Sequence, residues 1–366
     1  MKNVNFLRNL YIQKKNPVSL IIFLTNRCNA RCPFCFIDFN DQAMQNKDNE
    51  LSLADYITLS ESLSGSLRHL DLTGGEPFLR KDIGAISKAF IDNGDLHSIK
   101  LNTNGSYPSA IKSYVDTVCR KNPDISFIFQ FSIDSLPDSH DRIRGVPGLF
   151  DKAMQSYTIV KESYKNCFAA INLTVSDNNY QDIPSLFACL TDKHGIDRIN
   201  PIIVRNEGVY QVPQEKKATI LETYRKLTKK ITAGIASGKL KGLSDMSLAG
   251  AVIEAKNHIQ YEMISEAYLK PTFFTPCTAG SLFGVIQSDG TVYPCEILDK
   301  PLGNLRDYDF DFLKLWFDRP AREITTWTRQ TKCNCHWECH YTYNIISSFT
   351  YSVKLVLKML SLKLFR

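Results

Sequence analysis

Six short apolar runs, each followed by a helical pattern, fill the first two hundred residues and constrain the fold more than any other feature. The runs are residues 19–24, 68–73, 98–102, 126–133, 168–175 and 198–204. Helical patterns fall between them at 52–63, 82–93, 108–121, 149–163 and 183–193. Apolar strands alternating with helices build a parallel sheet through right-handed crossovers. Six such units predict an α/β fold in the form of an open, partial (β/α)6 TIM-like barrel. Barrels of this kind place their chemistry at the C-terminal ends of the strands.

The first strand end carries Cys28-Asn29-Ala30-Arg31-Cys32-Pro33-Phe34-Cys35, a C-x3-C-x2-C spacing with an aromatic before the third cysteine. Three thiolates on one tight loop can bind three irons of a [4Fe–4S] cluster and leave the fourth open to a small molecule. A zinc site, by contrast, normally takes four ligands and favours C-x2-C pairs. The second end reads Gly74-Gly75-Glu76-Pro77, where two glycines let the backbone approach a ligand and Glu76 supplies an acceptor. The third is Asn102-Thr103-Asn104-Gly105, also a composition suited to turns. The fourth is Ser132-Ile133-Asp134, followed by Arg142 and Arg144. In the fifth pattern Asn172 and Thr174, two apart, share one face. The sixth ends in Arg205-Asn206-Glu207-Gly208, a candidate adenine or substrate contact.

With these residues the chain resembles the radical S-adenosylmethionine (radical SAM) superfamily, whose signature is the C-x3-C-x-aromatic-C loop after the first strand. The resemblance implies that Cys28, Cys32 and Cys35 hold the SAM-binding [4Fe–4S] cluster, with Phe34 the signature aromatic. It implies that the SAM methionine chelates the open iron and that reductive cleavage gives a 5′-deoxyadenosyl radical, which abstracts hydrogen from a substrate. Gly74, Gly75, Glu76 and Pro77 match the family's GGEP motif for the SAM amino group, and Asn102 and Asn104 fall near the adenosyl group. Ser132 and Asp134 match an S-x-D element at the ribose or carboxylate. Arg144 matches the arginine that pairs with the SAM carboxylate, as a guanidinium suits bidentate binding. Arg142 reads as a surface charge. Asn172 faces SAM or the substrate.

A second cluster of cysteines follows. Cys277, Gly290 and Cys295 resemble the opening of the SPASM and twitch extensions of radical SAM enzymes, which bind auxiliary [4Fe–4S] clusters. Cys333, Cys335 and Cys339 supply further thiolates. A full SPASM domain has seven cysteines and two clusters. Here five remain, and the last segment reads C-x-C-x3-C, so one auxiliary cluster is expected. Cys277, Cys295, Cys335 and Cys339 are the preferred ligands, and Cys333 is the spare. A structural zinc knuckle is the alternative. Cys119, Cys167 and Cys189 lie in or beside helix and strand patterns and read as packing residues.

These features divide the chain into an N-terminal extension (1–17), the radical SAM core (18–213), a helical linker (214–272), a small SPASM/twitch-like domain (273–345) and a basic apolar C-terminal helix (346–366). A hairpin is expected at 282–294, turning at Ser288-Asp289-Gly290. The last segment is short for a bilayer span, which needs roughly 20 residues. It reads as a helix docked on protein, with membrane-surface contact as the alternative.

The net charge is +6, and four of the positive charges lie after Glu338, where no acid follows. The rest is nearly balanced, so no nucleic-acid-binding stripe is present. No secretory signal precedes the eleven cysteines, and clustered cysteines then read as metal ligands in a reducing cytoplasm.

An auxiliary cluster suits a net oxidation. The main expectation is a radical SAM oxidoreductase acting on a sugar, cyclitol, lipid-linked or other small molecule, reduced by a flavodoxin- or ferredoxin-type donor. The short stretch before the first strand argues against a peptide-recognition domain there. Maturation of a ribosomal peptide by crosslink or thioether formation is the alternative. A non-catalytic electron carrier or redox sensor has no need of the motifs at successive strand ends.

Overall fold

The computed structural model describes residues 2–63, 65–206, 209–242 and 248–364, with the side chains of 2–4, 43–44, 248–249, 339–340 and 362–364 excepted. The sixth strand end is therefore described only through Asn206, and Glu207 and Gly208 lie outside the described residues.

The six expected strands form as β1 (Ser19–Phe23), β2 (His69–Thr73), β3 (Ser98–Thr103), β4 (Ser126–Ser132), β5 (Cys167–Val175) and β6 (Ile199–Ile203). Each pairs in parallel with the next, which is the expected partial barrel. Three further strands, β7 (Phe283–Ile286), β8 (Thr291–Tyr293) and β9 (Gly303–Asn304), continue the same sheet in the order β6-β5-β4-β3-β2-β1-β7-β8-β9. The expected hairpin is β7–β8, but β7 also lies parallel to β1, with Ser19 opposite Phe283. The cysteine-rich region is thus stitched to the strand that launches the first cysteine loop. Gly284 makes room for this: a Cβ there would come 2.8 Å from the Trp316 ring, which lies over β7.

Strands β2–β6 largely alternate, whereas β1 and β7 are buried at every position. Leu70, Leu72, Ile99, Leu101, Phe127, Phe129, Phe131, Ile171 and Leu173 are buried in the main core with the helices. The intervening positions carry Asp71, Lys100, Asn102, Gln130, Asn172 and Asn200, which project to the opposite face because side chains alternate along a strand. That face holds an Asp71–Lys100 ion pair at 2.5 Å and a row of carboxamides. Asn172 Nδ2 donates to Asn102 Oδ1 and Gln130 Oε1, both at 3.4 Å, and Asn200 Nδ2 donates to Asn172 Oδ1 at 2.8 Å. Across β2–β6 one face is built for packing and the other for polar contact, whereas at β1 and β7 the second face is apolar too, with Ile21, Phe23, Phe283 and Val285 in a second core.

The helix Leu53–Ser62 starts on a capping box in which Ser52 and Asp55 satisfy each other's backbone N–H groups. The expected helical linker is two helices, Gln214–Ala236 and Leu248–Ala267. The helix Phe349–Leu364 packs on Leu248–Ala267, burying Tyr351 and Leu355, and Lys358 pairs with Glu262 at 3.2 Å. Its other side leaves Phe349, Val353, Val356, Leu357 and Leu360 exposed. Among the described residues no helix is long and apolar enough to cross a membrane.

Candidate active site and auxiliary cysteine pocket

The first cysteine loop is built outward from β1. Below it, Glu50 is almost fully buried and accepts from Thr25 and from Arg27 Nε at 2.9 Å, while Arg80 Nη1 donates to Leu51 O at 2.9 Å. The end of β2 packs against this base. Gly75 N donates to Thr25 O at 2.7 Å and Glu76 N to Arg27 O at 2.9 Å. A Cβ on Gly74, which has φ +142°, would lie 2.2 Å from Thr25 O, and one on Gly75 would lie 2.1 Å from Arg27 O. The two glycines therefore let the strand end approach the cysteine loop itself, a reason the motif alone did not reveal.

Glu76 is fully buried. It accepts from Phe78 N at 3.1 Å, Thr103 Oγ1 at 2.7 Å and Asn104 N at 2.8 Å, so it ties the ends of β2 and β3 together. Burial pushes its pKa up to about 7 against the pull of these hydrogen bonds and of Arg144. Pro77 opens the short helical turn Pro77–Leu79. Asn104 Nδ2 donates to Asn29 Oδ1 at 2.9 Å and to Cys28 Sγ at 3.8 Å, and Asn29 donates to Ser106 Oγ at 2.8 Å. A hydrogen bond to a ligating sulfur is one of the means by which a protein sets an iron–sulfur potential.

On the other side of the loop, Arg31 N donates to Arg144 O at 2.9 Å. Arg144 and Asp134 are both buried, and their ion pair includes Nε to Oδ2 at 2.9 Å. Asp134 Oδ1 also accepts from Thr174 N at 3.0 Å. Arg144 therefore already has a protein carboxylate as partner, which the motif reading did not assign to it. Arg142 is exposed and donates to Ser139 Oγ at 3.0 Å, the surface role expected of it. Ser132 and Asn172 face each other across β4 and β5 on the polar face. Phe34 is partly buried against the main core.

The three thiols are free and partly exposed. Burial pushes Cys28 up to about 12, and neighbouring Glu76, Cys32 and Cys35 add to the rise. Burial likewise raises Cys32 and Cys35, while Arg144 acts in the opposite direction on both. Three thiols gathered on one loop, close enough to repel as thiolates, fit a site completed by bound cations, because coordination deprotonates a thiol outright.

The second site draws on separate segments. Cys277, Cys295, Cys333 and Cys335 line one pocket with Phe274, Ile297, Leu298, Tyr341 and Asn344, and among the described residues no charged side chain lines it. Burial pushes Cys277 up to about 12 and Cys295 to about 11, and it raises Cys333 and Cys335 as well. Asn344 Oδ1 accepts from Thr278 N at 2.8 Å, anchoring the helix Glu338–Ile346 to the Cys277 segment. Soft thiolates in an apolar pocket select zinc, copper(I) or iron–sulfur clusters. Cys333, expected to be the spare, stands in this pocket with the other three. Cys339 lies in the helix, and its side chain is outside the described residues.

Between the two sites stands Arg205, just beyond β6, with Phe36, Glu296 and Trp337 around it. Sequence reasoning offered Arg205 only as an adenine or substrate contact and passed over the other three. The available signal was an aromatic or acidic residue beside a cysteine in each segment.

Comparison with known proteins agrees with this geometry. The model of the radical SAM superfamily matches residues 22–189, and that of SPASM, an iron–sulfur cluster-binding domain, matches residues 277–340. The sporulation killing factor maturation protein SkfB of Bacillus subtilis (strain 168) is 24% identical over 87% of this chain and 69% of its own length. Streptococcus suis SuiB bound to S-adenosylmethionine shares the fold with a TM-score of 0.59 at 16% identity, over 85% of this chain and 68% of SuiB. Histidine-tagged anSMEcpe with bound AdoMet gives 0.61 at 18% identity, over 95% and 98%. The two domains bring SAM, a SAM-binding [4Fe–4S] cluster and auxiliary iron–sulfur as cofactors. With both matched regions falling on the two thiol sites, the chain belongs to the radical SAM superfamily and carries a C-terminal SPASM domain.

Proposed function

We propose that the protein is a radical SAM maturase that acts on a ribosomally made peptide, by crosslinking or thioether formation. The observation that carries this reading is the breadth of the match to SkfB, a maturation protein, over 87% of the chain. Two structures that share the fold support it, SuiB bound to precursor peptide SuiA and anSMEcpe bound to AdoMet and the Cp18Cys peptide. This alternative thus has more support than oxidation of a sugar, cyclitol or lipid-linked molecule.

In this reading Cys28, Cys32 and Cys35 hold the SAM cluster, and Cys277, Cys295, Cys333 and Cys335 hold one auxiliary cluster. A cluster held by the first three thiolates, with SAM bound, would supply one-electron reductive cleavage of SAM and so radical hydrogen abstraction from the substrate. The chain's own residues orient the reactants. Gly74 and Gly75 present backbone carbonyls to the SAM amine. Glu76 uses three of its roughly four acceptor positions within the protein and keeps one for an ammonium. Asp134 holds Arg144 rigid beside the loop, so that its remaining donors meet the SAM carboxylate. Asn102, Asn172 and Ser132 line the polar face toward the adenosyl group.

The test is anaerobic incubation of the reconstituted chain with SAM, a strong reductant and any short peptide encoded beside its gene. The reading expects 5′-deoxyadenosine together with a peptide lighter by two hydrogens. 5′-Deoxyadenosine with every peptide unchanged would exclude the peptide reading. Its absence from a fully reconstituted protein would exclude radical SAM catalysis.

A further inference from the structure

One side chain touches residues next to the cysteines of both sites. The Arg205 guanidinium lies 3.8 Å from the centre of the Trp337 ring and 4.8 Å from that of Phe36. Its Nη1 and Nη2 reach the two Glu296 oxygens at 3.4 Å, and Nη2 reaches Glu338 Oε1 at 3.1 Å. Phe36 follows Cys35, Glu296 follows Cys295, and Trp337 and Glu338 lie between Cys335 and Cys339. Phe36 and Trp337 also meet edge to face at 5.8 Å, and Trp337 N donates to Cys335 Sγ at 3.4 Å. Arg205 and Glu296 are largely removed from water, so the contacts act at low dielectric. A guanidinium can make all of them at once because it is planar and forked, whereas an ammonium cannot.

We propose that Arg205 is a positioning residue that clamps the three cysteine-bearing segments together and sets the potential at which the two iron–sulfur clusters exchange an electron. The proposal rests on the two-cluster reading above. The clamp holds one positive charge against two carboxylates. Loss of the cation leaves both carboxylates uncompensated beside the clusters, and local negative charge opposes the added electron.

The test is a redox titration of the reconstituted full chain, followed by electron paramagnetic resonance, with iron content measured alongside. Arg205→Ala is expected to keep both clusters and to move the auxiliary potential to more negative values. At a fixed poise the reduced fraction falls roughly tenfold, equivalent to about 59 mV for one electron. Arg205→Lys, which keeps the charge and loses the fork, restores part of that shift. Glu338→Gln is expected to move the potential the opposite way, and it decides the matter if Arg205→Ala fails to retain iron. Potentials and spectra that match wild type in a variant holding both clusters would overturn the proposal. A wild-type chain with a single cluster would instead overturn the two-cluster reading beneath it.

Discussion

The two thiol sites are built in opposite ways. Cys28, Cys32 and Cys35 share one eight-residue loop, partly exposed, with its shape imposed by neighbouring strand ends through Gly75, Glu76, Asn104 and Arg144. Cys277, Cys295, Cys333 and Cys335 come from three separate segments and meet in an uncharged pocket. A loop of three ligands leaves a coordination position for a reactant. In the reading proposed above, four thiolates from this pocket would close the coordination shell of an auxiliary cluster, which suits electron storage rather than substrate binding. The proposed function uses this contrast, with reaction initiation at the barrel mouth and electron traffic in the SPASM pocket.

The largest expected effect would separate the two sites. Cys32→Ala should abolish 5′-deoxyadenosine formation, whereas Cys277→Ala should leave substrate-independent SAM cleavage within a few fold and stop peptide product; chromatography of both products checks this. Next is Asp134→Ala, which leaves Arg144 buried without its carboxylate. It should cost about 3–5 kcal/mol in denaturant unfolding, and the loss should fall on the first site, with auxiliary iron retained. Gly75→Ala is expected to be smaller in stability, at about 1–3 kcal/mol for an overpacked site. Because the new Cβ meets the backbone of Arg27, it should still displace the cysteine loop and lower iron at the first site only.

A further effect is a pH dependence at Glu76, measured on cluster-free protein. Its folded pKa, about 7, lies above the ordinary 4.5. The folded state therefore binds the proton more tightly, and this contribution to stability is complete below pH 4.5 and lost as pH rises through 7. Glu76→Gln should flatten that slope; an identical slope in the variant would remove Glu76 as its source.

The same contrast explains what could be read in the sequence. The first loop is local, so its spacing and the strand-end motifs after it were enough to find the cofactor and the partial barrel. The auxiliary pocket is tertiary. Spacing along the chain says little about which thiols meet in space, and the pocket brings Cys333 beside Cys277, Cys295 and Cys335. The pairing of β7 with β1 went unseen for the same reason, since no local pattern in Phe283–Ile286 names a partner more than two hundred residues earlier. Arg205 looked like one more residue at a strand end until Trp337, Phe36 and two glutamates converged on it. The glycines of the second strand end read as room for a ligand, but their close neighbour in the structure is the Thr25–Arg27 backbone.

The central claim is that two independent iron–sulfur sites divide the work. It is tested most directly by iron and sulfide analysis of a Cys28/Cys32/Cys35 triple alanine variant, assayed with SAM and reductant. The account predicts about four irons retained per chain, as for one [4Fe–4S] cluster, and no 5′-deoxyadenosine. A variant that keeps no iron, or one that still forms 5′-deoxyadenosine, would contradict it.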